Sequence, residues 1–75
     1  MSADPIVAAL DATNMFLKQA VEEVGEAIAA VQEGRPADAA GLVGGIGSRI
    51  DHAHEELDGA IKALQEAGHR VMRRA

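Results

Sequence analysis

The chain has 75 residues, no cysteine and a formal net charge of −5. A single domain of this size buries only about 60% of the surface its unfolded chain exposes, and disulfides are excluded, so oligomerisation is the first expected source of extra burial and a metal the second. The acidic charge opposes phosphate binding, and Phe16 as the only aromatic residue leaves no stacking platform, so nucleic acid is not an expected direct partner.

The N-terminus carries Asp4 and no basic segment, so it does not read as a signal peptide. No stretch reaches the ~20 apolar residues of a membrane span, and a cytoplasmic protein is expected. Asp4 is a suitable N-cap, and Pro5 suits the first helical position, where its missing N–H leaves no bond unmade. Gly34 suits a left-handed stop, with Pro36 opposing continuation. These signals predict a first helix over about 5–33.

Within it, Val7, Leu10, Asn14, Leu17, Val21, Val24, Ile28 and Val31 alternate steps of three and four, a heptad seam that one helix cannot bury alone. Ile6, Ala20 and Ala27 widen the stripe, as in a bundle helix. Asn14 is the one polar position in the seam, where it either fixes register or is solvated near an open end. Met15 and Phe16 lie off the seam and are candidates for a further contact between subunits.

The stretch 34–47 contains Gly41, Gly44, Gly45 and Gly47, which together disfavour a helix by roughly 3–4 kcal/mol relative to alanine. This favours a short helix at 36–43 followed by a link at 44–47. A continuous helix with a glycine face is the alternative, because the register passes through Val43 and Ile46 without slipping. The main second helix is then predicted over about 48–74, with Ser48 and Asp51 as a loose capping box. Its seam is Ile50, Ala53, Leu57, Ala60, Leu64, Ala67 and Val71, where the recurring alanines permit close helix approach. Asp58 with Lys62, and Glu66 with Arg70, are expected i,i+4 pairs.

The predicted fold is all-α: an antiparallel helical hairpin that closes into a four-helix bundle as a homodimer. The expected interface comprises Val7, Leu10, Asn14, Met15, Phe16, Leu17, Val21, Val24, Ile50, Leu57, Leu64 and Val71. The expected partners are a second copy and another protein, with no membrane contact. Residues 1–34 hold six acids against Lys18, whereas Arg70, Arg73 and Arg74 crowd the end. That tail suits a helix C-terminus or an acidic partner.

Two carboxylate groups stand out. Glu22, Glu23 and Glu26 form EExxE, in which Glu22 and Glu26 share a face, and Glu55 and Asp58 form ExxD. Carboxylates so placed repel one another, and Mg²⁺ relieves that repulsion. The two motifs resemble those of the all-α nucleoside triphosphate pyrophosphohydrolases of the MazG and dimeric dUTPase type, over about residues 18–34 and 52–64. The resemblance implies Mg²⁺ held by Glu22, Glu26, Glu55 and Asp58, with Glu23 completing the catalytic set, and hydrolysis that releases pyrophosphate. The heptad placement sets all five carboxylates on outer faces, where they read equally as a solvated acidic surface.

His52, His54 and His69 are the histidines. Glu66 and His69 resemble the Glu-x-x-His arrangement of di-iron bundles, which implies a His/Glu metal site. No phosphate-binding loop and no catalytic triad can be assembled from the remaining residues. The main expectation is a self-associating interaction protein, with a structural, adaptor or inhibitor role and no cofactor. As an inhibitor it would offer carboxylates where phosphates bind. A Mg²⁺-dependent pyrophosphohydrolase and a metal-binding bundle are the alternatives.

Overall fold

Two helices account for nearly all of the computed structural model, which describes residues 4–72. Helix α1 spans Pro5–Gln32 and α2 spans Pro36–Glu66, and the two form an antiparallel hairpin. The start of α1 follows its sequence signals. The Asp4 carboxylate accepts from the Ile6 amide at 2.9 Å, and Pro5 occupies the first turn.

Both helices end in the same way. Gly34 adopts φ 76° and Gly68 φ 90°, a left-handed conformation that a Cβ disfavours. Behind Gly34, the Arg35 amide donates to the Ala30 carbonyl and the Gly34 amide to that of Val31. Behind Gly68, the His69 amide donates to Leu64 and the Gly68 amide to Gln65. Each set is a Schellman motif, which satisfies carbonyls left free at a helix end.

Helix α2 corrects the expected boundaries. It is continuous through Gly41, Gly44, Gly45 and Gly47, with neither a separate 36–43 helix nor a link at 44–47. The glycine penalty is offset by packing: Ala39 is buried with Ala27 and Ala30, and Leu42 and Ile46 pack against that cluster. Ser48 and Asp51 are therefore mid-helix residues and not a cap. The helix stops at Glu66, because Gly68 turns the chain, and the described residues from Ala67 to Met72 are not helical; Arg73 and Arg74, the end of the expected 48–74 span, lie outside the described residues. Val71 and His69 consequently lie beyond the helix, and Glu66 and Arg70 do not share a helical face.

The interior is made of small side chains. Among the described residues the buried set is Thr13, Ala20, Ala27 and Ala30 on α1, with Ala39, Ala53 and Ala60 on α2. Thr13 buries its hydroxyl by donating to the Ala9 carbonyl at 2.8 Å. Alanine against alanine lets two helices approach closely, but it removes little apolar area from water. No large side chain is fully buried. The hairpin is also slender: its radius of gyration is 16.0 Å, against roughly 11 Å for a compact domain of this length.

Candidate functional site

The heptad seam of α1 does not face α2. Val7, Leu10, Leu17, Val21, Val24, Ile28 and Val31 are all exposed, Val21 by 72%. The line of Thr13, Ala20 and Ala27 turns inward instead. On α2, Val43, Ile50 and Leu57 are likewise exposed. The two exposed lines share one side of the hairpin. Leu17 and Thr13 border one groove with Ile50, Ala53, His54 and Leu57. Ile28 and Val31 border another with Ala39 and Val43. The result is an aliphatic face that runs along both helices and extends nearly the length of α1.

A third groove lies wholly on α1, between Asn14, Leu17, Lys18, Val21 and Glu22. Positions i, i+3, i+4 and i+7 are the four residues that receive a knob from a facing helix. Asn14, Leu17, Lys18 and Val21 have that spacing, and α2 does not fill the hole. Asn14 itself is exposed.

The rest of the expected interface divides. Met15 is exposed, whereas Phe16 is half-buried and stacks on His52 with ring centroids 5.3 Å apart. Phe16 thus joins the two helices of one chain and is not a free contact. Leu64 is half-buried, and Val71 lies past the helix end.

The carboxylates also divide. Glu23 is not on an outer face: its side chain is only 19% exposed, and Oε1 accepts from Arg49 Nε at 2.6 Å. The pair lies over Gly45, where a Cβ would fall 2.9 Å from Glu23 Oε2. Glu22, Glu26 and Glu55 are exposed, as expected. Asp58 pairs with His54 at 3.3 Å. Glu23 lies level with Arg49, so Glu55 is displaced by about 9 Å along the helix axis at 1.5 Å per residue. The EExxE and ExxD carboxylates therefore occupy different levels of the hairpin. Among the described residues, no three His, Asp or Glu side chains come together as a metal site. No helix among them is long and apolar enough to cross a membrane.

Comparison with known proteins returns no match to a family model, a curated protein or a solved structure. The functional reading therefore rests on the hairpin's own geometry.

The cross-helix pair Glu23–Arg49 was not legible in the sequence, because no local signal sets the register between two helices. The inward alanine line did carry a signal. Thr13, Ala20 and Ala27 recur every seven residues, as do Ala39, Ile46, Ala53 and Ala60. That period marks a second seam beside the larger aliphatic one.

Proposed function

We propose that this chain works by protein–protein association through its aliphatic face, as a small acidic structural, adaptor or inhibitory protein. The observation that carries this reading is the unbroken exposed line from Val7 to Val31, flanked by Val43, Ile50 and Leu57. Contiguous exposed apolar surface beyond a few hundred Å² is rare on soluble monomers and marks sites of association. The absence of cysteine fits a reducing compartment such as the cytoplasm.

Catalysis has weaker support. The alternative of a Mg²⁺-dependent pyrophosphohydrolase needs Glu22, Glu26, Glu55 and Asp58 to act together. In one chain they lie at separate levels, so that site would have to be completed between chains. The His/Glu metal alternative loses its helical spacing, because His69 follows the end of α2.

The test is Val21→Glu, which puts a charge on the most exposed part of the α1 seam. The reading expects the variant to lose association and cooperative melting together, measured by native mass and circular dichroism. A variant that matches the wild type in both would remove the face from the account.

A further inference from the structure

We propose that the occupant of the aliphatic face is a second copy of this chain, related by a two-fold axis parallel to the helices, so that α1 lies on α2 of the partner subunit. This rests on the reading of that face as an association surface and adds both the occupant and its orientation.

The chain exposes 5697 Å². A folded monomer of 7.8 kDa is expected to expose roughly 4,400 Å². The excess is roughly 1,300 Å² per chain, surface that a slender hairpin leaves open for a second copy to cover. A hairpin whose buried residues are alanines and one threonine needs its large aliphatic residues covered whenever it is folded. A second copy is present at the chain's own concentration, which is not assured for any other protein.

Charge selects the orientation. Lys18 is the only cation of α1, and it borders the unfilled hole with Asn14, Leu17, Val21 and Glu22. It lies between Phe16 and Glu23, whose partners across the hairpin are His52 and Arg49, so it is level with Asp51. Asp51 follows Ile50 and shares a side of α2 with His54, which borders the aliphatic groove. A two-fold axis parallel to the helices preserves level and sets Lys18 against the partner's Asp51. The perpendicular two-fold lays α2 on the partner's α2 with levels reversed, which sets Asp51, at the middle of α2, against the partner's Asp51. Opposite charges across an interface fix orientation in this way, and like charges reject the alternative.

The two orientations place the interhelical turns differently. In the proposed one both turns lie at the same end of the bundle. The chain has no cysteine, so Ala37→Cys, at an exposed site beside the turn, takes a single spin label per chain. The expected label separation is within about 30 Å, a few interaxial spacings. The opposite orientation separates the labels by nearly the length of α1, about 42 Å at 1.5 Å per residue. Lys18→Glu is expected to weaken the dimer on the order of tenfold, with two edge pairs turned repulsive, and Lys18→Glu with Asp51→Lys to restore it. Long label separations, or the absence of rescue, would overturn the orientation. A wild-type chain that stays monomeric at every concentration would overturn the second copy. The association reading beneath falls separately, if Val21→Glu changes neither mass nor melting.

Discussion

Glu23 and Arg49 meet across the hairpin at 2.6 Å, and Gly45 is the residue that leaves them room. The pair joins α1 to α2, whereas Arg35–Glu33 and Arg35–Asp38 lie around the turn and His54–Asp58 lies within α2. It therefore reports on the register of α1 against α2.

Gly45 allows that register to be tested gently. An exposed mid-helix glycine replaced by alanine gains up to about 1 kcal/mol from propensity. Gly41→Ala, with nothing within 4 Å of an added Cβ, is expected to show that gain. Gly45→Ala is expected to gain clearly less, because its Cβ displaces the Glu23 carboxylate from Arg49. In a Glu23→Ala background the full gain should return, and urea denaturation of the four chains forms the cycle that reads it. Equal gains at both glycines would place Glu23 elsewhere.

The helix ends predict losses instead. Gly34→Ala and Gly68→Ala each put a Cβ on a left-handed residue, at about 1–2 kcal/mol. The substitution at Gly34 is expected to lower the denaturation midpoint. At Gly68 the local cost can be relieved by extending α2, so helicity by circular dichroism is expected to rise there and not at Gly34.

The alanine seam predicts that a larger apolar residue does harm. Ala53 is 2% exposed, and Ala60 is 1%. Ala53→Leu is expected to push the helices apart and to destabilise by about 1–3 kcal/mol, the usual range for overpacking. A more stable Ala53→Leu chain would mean that the inner seam is not closely packed.

The carboxylates make a prediction of their own. Because Glu22, Glu26, Glu55 and Asp58 do not converge within the hairpin, millimolar Mg²⁺ is expected to leave the melting temperature unchanged. A rise that disappears in Glu26→Gln would support a site completed between chains and favour the pyrophosphohydrolase alternative.

These contrasts show which features the sequence made legible. Asp4, Pro5 and Gly34 act through their nearest neighbours, so both ends of α1 could be read directly. The glycines of 41–47 misled, because their helix penalty is local whereas the packing of Ala39, Leu42 and Ile46 that offsets it is tertiary. Gly68 carries the same stop signal as Gly34, while the apolar spacing runs on past it to Val71. The deepest ambiguity was between two seams on one helix. Valine, leucine and isoleucine mark where burial is most favourable, and alanine marks where two backbones can come close. In α1 the alanine line faces α2, and the larger line is left for another surface.

The claim that most needs testing is that the aliphatic face is constitutively covered. Sedimentation equilibrium, with melting followed over a hundredfold range of chain concentration, measures this directly. The account predicts a species of two chains whose melting temperature rises with concentration. A single-chain species with a sharp melting temperature independent of concentration would contradict it.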